Sequence, residues 1–238
     1  MNLSLRLLAL SCLFTGAALV GNAAPVDPAT PFRNLAAGKK QTVIVYGTSL
    51  THGGAWANAT KQWFNQTYPG QVTFINSGGP GQNSDWGLAN LKTKVLDHHP
   101  DLVFVEFAYN DAHDKFHMPV ERGAANLKKI VDAIRTQNPD AVIVLQTMNI
   151  GWDAPNGNRS LSVRPDLERF NDNYRTFARE QGLPLLDHYV VWKKLKETDL
   201  ATYKKYVPDG THPGPAGSLA VTWPTIQAWL EATRAAAN

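Results

Sequence analysis

The chain has 238 residues, of which 43% are hydrophobic, 10% aromatic and 18% charged, and its formal net charge is +3. This balance excludes the strongly basic surface that neutralises nucleic-acid phosphates, so no nucleic-acid partner is expected, and the apolar content excludes a disordered chain. A single cysteine excludes an internal disulfide framework and a zinc site built from cysteines, and the length suits one large domain.

The N-terminus has the organisation of a secretory signal peptide. Arg6 precedes an almost wholly apolar run over residues 7–20, and Gly21 and Ala23 supply the small residues of a cleavage site. That run is shorter than the roughly 20 residues needed to span a bilayer. Cys12 does not fit lipoprotein processing, because it lies too early in the apolar run and the residues before it are a poor lipobox. We therefore predict a signal peptide over residues 1–23 and a secreted or periplasmic protein with no stable membrane insertion.

After the signal peptide, apolar runs alternate with amphipathic ones. Residues 24–40 are rich in proline, alanine and threonine and are predicted to be an N-terminal leader to a domain over residues 41–238. Apolar, often β-branched runs bounded by turn residues predict strands over residues 41–46, 72–76, 102–107, 141–146 and 183–187. Apolar residues at helical spacing predict helices over residues 56–68, 86–96, 119–136, 165–181 and 214–235, the last interrupted near Pro224.

This alternation predicts the fold class. Apolar strands joined by helices form right-handed βαβ units, in which a parallel sheet is covered on both faces. No internal repeat and no Pro/Gly-rich linker divides the chain after the signal peptide. We therefore predict an α/β domain, a three-layer α/β/α sandwich around a central parallel sheet of about five strands. The binding crevice of such a sheet lies beyond the carboxyl ends of its strands.

Polar residues suited to acyl transfer follow three of these strands. Ser49 comes shortly after the first strand, the glycine-rich stretch 76–84 follows the second, and Asn110 follows the third. Near the C-terminus, Asp209 precedes His212 by three residues. Each signal alone is weak, because serines after strands are usually turn or cap residues. Together they supply a nucleophile, a base, a carboxylate to orient the base and donors for an oxyanion, which are the groups that acyl transfer needs.

The order of these groups resembles that of the SGNH, or GDSL, hydrolase family. Its blocks are similar to residues 47–50, to the glycine-rich stretch 76–84, to residues 110–111 and to residues 209–212. The resemblance covers nearly the whole chain after the signal peptide and implies a flavodoxin-like fold. Thr48 and Ala108 depart from the family pattern, which usually has aspartate and glycine at these positions, but neither departure removes a catalytic group.

The resemblance also implies a role for each matching residue. Ser49 would be the nucleophile, His212 the general base, and Asp209 the carboxylate that orients the base. The backbone amides of Ser49 and Gly81 and the side chain of Asn110 would form the oxyanion hole. With these neutral donors, the chemistry requires no cofactor.

Three other histidines are candidates for a functional role. His52, three residues after Ser49, competes with His212 for the role of base, but it has no carboxylate partner as close in sequence as Asp209. His113 and His117 have the spacing of two zinc ligands on a helix, but no third ligand accompanies them, so no metal site is predicted.

The segments expected to line the substrate pocket are polar and aromatic. His52, Trp56, Tyr109 and Trp152 are the possible substrate contacts. Aromatic faces accompanied by amides and hydroxyls suit sugar rings better than long acyl chains. The sequence therefore predicts a secreted carboxylic ester hydrolase that removes short acyl groups, acetyl above all, from a small ester or an acylated carbohydrate.

Three alternatives remain open at this stage. A lysophospholipase or thioesterase of the same family would need a long apolar groove. An acyltransferase would use the same catalytic groups with a sugar hydroxyl in place of water. A catalytically inactive carbohydrate-binding module would have no need of Ser49, Asp209 and His212 together. The sequence leaves the oligomeric state open.

Overall fold

The strands and helices are described by a computed structural model over residues 26–237. The signal peptide predicted over residues 1–23 lies outside the described residues. The strands are β1 (Gln41–Tyr46), β2 (Val72–Asn76), β3 (Leu102–Val105), β4 (Val142–Thr147) and β5 (Leu185–Asp187). The helices are α1 (Thr30–Ala36), α2 (Ser49–His52), α3 (Ala55–Thr67), α4 (Ser84–Lys94), α5 (Ala108–Asp111), α6 (Val120–Gln137), α7 (Leu167–Gln181), α8 (His188–Thr198), α9 (Leu200–Tyr206), α10 (Pro215–Gly217) and α11 (Trp223–Ala236).

The five strands form one parallel sheet with the order β2-β1-β3-β4-β5. Every residue of β3 and β4 is buried. Strands covered on both faces have no solvent side, which explains why β3 and the first four residues of β4 are continuous apolar runs rather than alternating ones. The predicted parallel sheet is confirmed.

Two groups of helices cover the sheet. In one group α6 packs against α4 and α7, and in the other α11 packs against α1 and α3. Helix α6 buries Leu127, Ile130, Val131 and Ile134, which recur every three or four residues and so form one apolar stripe. The predicted three-layer sandwich is confirmed. None of the helices between residues 26 and 237 has the length and apolar character that a membrane crossing requires.

The segment before β1 differs from its prediction. The sequence predicts a leader over residues 24–40, whereas the structure has α1 there, with Phe32 and Leu35 fully buried. The Phe32 ring lies 6.1 Å from the ring centroids of both Phe64 in α3 and Trp229 in α11. The polar and proline-rich composition concealed two core side chains one helical turn apart. Packing of the domain therefore begins before residue 41.

The segment after β5 is helical and has a small core of its own. The sequence predicts no element over residues 188–208, where the structure has α8 and α9. Trp192, Tyr203 and Val207 form a second, smaller core here. A π-helical turn at Ser218–Thr222 joins α10 to α11. This turn is the interruption that the sequence predicts near Pro224.

Candidate active site

Ser49 lies where the tight turn after β1 enters α2. It is the first residue of α2, and the Thr48 hydroxyl caps that helix by accepting a hydrogen bond from the Leu50 amide at 3.2 Å. A Cβ at Gly47 would lie only 2.2 Å from the Glu106 carboxylate, so the approach of the turn to β3 requires glycine. The turn therefore presents Ser49 at the carboxyl edge of the sheet.

Ser49, His212 and Asp209 form a chain of hydrogen bonds. Ser49 Oγ lies 2.9 Å from His212 Nε2, and His212 Nδ1 lies 2.7 Å from Asp209 Oδ2. Burial raises the pKa of the Asp209 carboxyl, but hydrogen bonds from the His212 side chain and from backbone amides outweigh it, so this pKa lies below its ordinary value. An ionised Asp209 accepts a hydrogen bond from the Nδ1–H of His212, which leaves Nε2 unprotonated and able to take the proton of Ser49.

The loop that carries Asp209 and His212 is held by two sets of backbone bonds. The Thr211 and His212 amides donate to Asp209 Oδ1 at 2.8 and 2.7 Å. The Asn158 amide donates to the Asp209 carbonyl at 2.7 Å, and the Trp152 amide donates to the Gly210 carbonyl at 3.0 Å. The long segment between β4 and α7 therefore braces the loop, and the backbone of Trp152 takes part in this role.

The predicted oxyanion donors meet beside Ser49. Gly81 has φ +71°, in the left-handed region that favours glycine, and it lines the same cavity as Ser49 and Asn110. Within residues 26–237 the Ser49 and Gly81 amides donate to no protein atom. Asn110 Nδ2 uses one hydrogen on the Gln82 carbonyl at 2.7 Å and keeps the second. Three N–H groups are thus available at one place.

Glu106 supports the serine turn, and the sequence analysis did not identify it. Its side chain is buried and accepts hydrogen bonds from the Thr48 amide at 2.6 Å, from the Thr48 hydroxyl at 2.9 Å and from the Thr51 hydroxyl at 2.6 Å. Burial raises the pKa of Glu106 to about 7, and these bonds limit the rise. A glutamate within an otherwise apolar strand run was the sequence signal for this role.

Arg164 supports Asn110 and was also missed. Its guanidinium donates to the Tyr109 carbonyl at 2.8 Å and to the Ser160 hydroxyl at 2.7 Å, and Nη2 lies 3.4 Å from Asn110 Oδ1. It also lies 4.1 Å from the Tyr109 ring centroid. The Tyr109 hydroxyl is bonded to Ser160 Oγ at 2.6 Å. This network fixes the amide of Asn110 with its nitrogen away from Arg164.

Two cavities adjoin Ser49 and His212. The first, of about 260 Å³, is lined by Leu50, Trp56 and Met148 among others and is called here the apolar cavity. The second, of about 450 Å³, is the basic cavity, and its walls include Gly81, Asn110, Lys115, Asn158, Arg159 and Arg164. Pro80 lines both. The acyl part and the alcohol part of an ester bound at Ser49 can therefore lie in chemically different cavities.

Of the four residues predicted to contact substrate, two line a cavity and two do not. His52 and Trp56 line the apolar cavity. Tyr109 is buried against Arg164, and Trp152 Nε1 donates a hydrogen bond to the Val207 carbonyl at 2.6 Å. Both side chains lie outside the two cavities. Of the two histidines considered as base, His212 is the one bonded to Ser49.

The pair of histidines with zinc-ligand spacing does not share a helix. His113 Nδ1 accepts a hydrogen bond from the Lys115 amide at 3.2 Å, and His117 has φ +46° at the end of a 3₁₀ turn. Among residues 26–237, no three or more His, Cys, Asp and Glu side chains are grouped as metal ligands would be.

Comparisons with known proteins identify the family of the chain. The model of the GDSL-like Lipase/Acylhydrolase family matches residues 44–220. A GDSL esterase/lipase of Arabidopsis thaliana is 27% identical over 207 residues, which cover 74% of this chain and 80% of that protein. Thioesterase 1/protease 1/lysophospholipase L1 of Escherichia coli (strain K12) is 26% identical over 175 residues, 72% of this chain and 75% of that protein.

The fold is shared with solved structures as well. The structure of an acetylxylan esterase from Geobacillus stearothermophilus has a TM-score of 0.65 at 16% identity, covering 79% of this chain and 93% of that one. This similarity concerns the fold, whereas the match of the family model concerns the sequence over more than half of the chain. The chain belongs to the GDSL-like lipase/acylhydrolase family and is a carboxylic ester hydrolase.

Proposed function

We propose that the chain is a secreted serine esterase in which Ser49 is the nucleophile, His212 the general base and Asp209 the carboxylate that orients it. The observation that carries this proposal is the unbroken run of hydrogen bonds from Asp209 through His212 to Ser49, 2.7 and 2.9 Å long. It ends where the two cavities meet, which is where an ester bond would have to lie.

The reaction has two halves. His212 Nε2 takes the Ser49 proton as Oγ attacks the ester carbonyl, and the oxyanion forms beside the amides of Ser49 and Gly81 and the Asn110 side chain. Each such donor is worth on the order of 3 kcal/mol in the transition state. His212 then returns the proton to the leaving alcohol, and the acyl group stays on Ser49. Water repeats the sequence, releasing the carboxylic acid and restoring Ser49.

The two cavities divide the substrate. An alkyl acyl group has no polar atom beyond its carbonyl, so it fits the apolar cavity, whereas a hydroxyl-rich alcohol fits the amide and guanidinium groups of the basic cavity. We assign the carbohydrate, or another small polar alcohol, to the basic cavity and the acyl group to the apolar one. A structural neighbour named as an acetylxylan esterase supports acetyl as one such acyl group.

The size of the apolar cavity favours a second candidate function. An apolar cavity of about 150 Å³ is large enough for benzene. The 260 Å³ beside Leu50 and Met148 therefore exceeds what an acetyl group needs and leaves room for a longer acyl chain. The lipolytic or thioesterase alternative thus has a structural observation in its favour. The aromatic case for a sugar is weaker than the sequence suggested, because Tyr109 and Trp152 lie outside both cavities.

A chain-length series separates these candidates. The purified chain is assayed on p-nitrophenyl esters from acetate to dodecanoate, beside acetylated xylan, and kcat/KM is measured for each. A maximum at acetate together with release of acetate from xylan supports the carbohydrate esterase. A maximum at a longer acyl group supports the second candidate. No hydrolysis across the whole series, with the protein folded, contradicts both.

Export is part of the proposal and has its own test. The predicted cleavage site follows Ala23. N-terminal sequencing of the protein recovered from the periplasm or the medium should begin at residue 24. Recovery of the enzyme in the cytoplasm with residues 1–23 attached would contradict it.

A further inference from the structure

The basic cavity contains a buried cation without a counter-charge. Arg164 is 6% exposed, and no carboxylate of the described residues lies within 4.0 Å of its guanidinium. Its hydrogen-bond partners are neutral: the Tyr109 carbonyl, the Ser160 carbonyl and hydroxyl, and Asn110 Oδ1. Asp114 attracts it only from beyond ion-pair distance. Burying a charge is costly unless it is paired, and burial lowers the pKa of Arg164.

Holding Asn110 in place does not require that charge. A guanidinium has five N–H donors, and four of them are accounted for by the partners named above, one of these at the long distance of 3.4 Å. A neutral amide side chain could hold Asn110 Oδ1 without the cost of burying a cation. Within the described residues the positive charge of Arg164 therefore has the face of the Tyr109 ring as a favourable partner, and no carboxylate.

Other cations line the same cavity. Lys115 and Arg159 line this cavity, and among the described residues no aspartate or glutamate lines it. Neither Lys115 nor Arg159 has a carboxylate partner within 4.0 Å in the described part of the chain. The pKa of His113, another wall residue, is lowered by burial first and then by Arg164 and Lys115. These charges thus act on one space, and like charges on low-dielectric walls concentrate a positive potential there.

We propose that the basic cavity binds an anionic group, a carboxylate or a phosphate, carried by the alcohol part of the ester. Arg164 forms the inner wall, and Lys115 and Arg159 approach the anion from the other sides of the cavity. Because Ser49 and His212 line the same cavity, the anion lies within one sugar ring or one glycerol unit of the ester bond. This inference rests on the proposed function and names its substrate class.

Matched pairs of esters test the inference. One pair is an acetylated methyl glucuronide and the same acetate of methyl glucoside, which differ in a carboxylate. The other pair is acetylglycerol phosphate and acetylglycerol. We expect kcat/KM to favour the anionic member of at least one pair by about tenfold or more at low salt, mainly through KM, and the preference to shrink as salt is added. The pair that shows the preference identifies the anion.

Charge variants locate the preference. In the double variant Lys115→Gln/Arg159→Gln, which keeps Arg164, the ratio of kcat/KM for the anionic over the neutral ester should fall by about threefold or more at low salt. The exposed pair Lys39→Gln/Lys40→Gln removes the same charge far from the cavity and should keep the wild-type ratio. If the cavity variant does not fold, the salt dependence of the wild-type ratio still decides.

The outcomes separate the two levels of the proposal. Equal kcat/KM within both pairs, or a preference that is as large in the cavity variant as in wild type, overturns the anion site, while hydrolysis of the neutral esters leaves the esterase proposal in place. Failure to hydrolyse any of the four esters or any p-nitrophenyl ester, with no labelling of Ser49 by a serine-directed phosphonate, overturns the esterase itself.

Discussion

The apolar and basic cavities share Ser49, His212 and Pro80 but are built in different ways. Half of the residues that line the apolar cavity come from one short stretch of chain, residues 49–56. The basic walls come from the ends of separate elements, including Gly81, Asn110 and Arg164. Apolar walls select by volume and basic walls select by charge. Substrate choice can therefore change on one side of the ester bond without changing on the other.

The largest effect should come from the atom common to both cavities. Ser49→Ala removes the nucleophile, so kcat should fall by about 10⁴-fold or more for every ester, long or short, charged or neutral. The measurement is kcat on p-nitrophenyl acetate, with circular dichroism to show that the fold is kept. The double variant Ser49→Ala/His212→Ala should be about as inactive as either single variant, because the two act as a unit. Activity within a few-fold of wild type would remove Ser49 from its role.

Asn110→Ala changes a wall of the basic cavity but should act on all esters. In the proposed mechanism the amide donor faces the developing oxyanion rather than the alcohol, so kcat should fall about 10²- to 10³-fold for neutral and anionic substrates alike. Asn90→Ala, on α4, is the control and should leave kcat unchanged. A loss confined to KM for anionic esters would show instead that Asn110 serves substrate binding.

Gly53→Leu should act on the apolar cavity alone. A Cβ at this position meets only the Ser49 carbonyl, at 3.6 Å, so a side chain can be accommodated and would occupy the cavity. Each excluded methylene forfeits about 0.8 kcal/mol. We expect kcat/KM to fall about tenfold or more for octanoate while acetate is little affected. Gly53→Ala is the matched control. Equal losses for both esters would mean that the acyl chain does not enter this cavity.

Glu106→Gln should have the smallest effect on turnover and a visible one on stability. The pKa of Glu106 is raised to about 7, above its ordinary value of 4.5, so the native state holds a proton that the unfolded chain has lost between these pH values. The contribution of Glu106 to stability is therefore fully present below pH 4.5 and is lost as the pH rises to about 7.

Urea unfolding measured across this range checks the Glu106 prediction. The variant should show a shallower decline than wild type, although Asp111, whose pKa is also raised to about 7 by burial, will keep part of it. An unchanged slope would show that Glu106 does not titrate in this range.

Much of the fold could be predicted because its signals are local. Strands β1 and β2 match their apolar runs residue for residue, and the Asp209–His212 spacing lies within one loop. Glu106 and Arg164 escaped prediction because their roles depend on partners 58 and 54 residues away in the chain. Composition also does not reveal the direction in which a ring points.

The directions of the aromatic rings explain why one predicted pocket residue lines a cavity and another does not. Trp56 and Tyr109 are both buried, yet the ring of Trp56 borders the cavity beside Ser49 whereas that of Tyr109 lies under Arg164. The two residues follow neighbouring strands, β1 and β3. Tyr109 is covered by Arg164, which lies in the segment between β4 and α7, more than fifty residues away in the chain.

The contact between α1 and α11 has a consequence for the order in which the chain can fold. Phe32 packs on Trp229, which the ribosome adds 229 − 32 = 197 residues later. At a synthesis rate of about 5–20 residues per second, Phe32 waits on the order of ten to forty seconds for this partner. The core cannot close until the last helix has been made. This late closure suits the export proposed above, because a chain whose core has not yet closed can still enter a translocation channel unfolded.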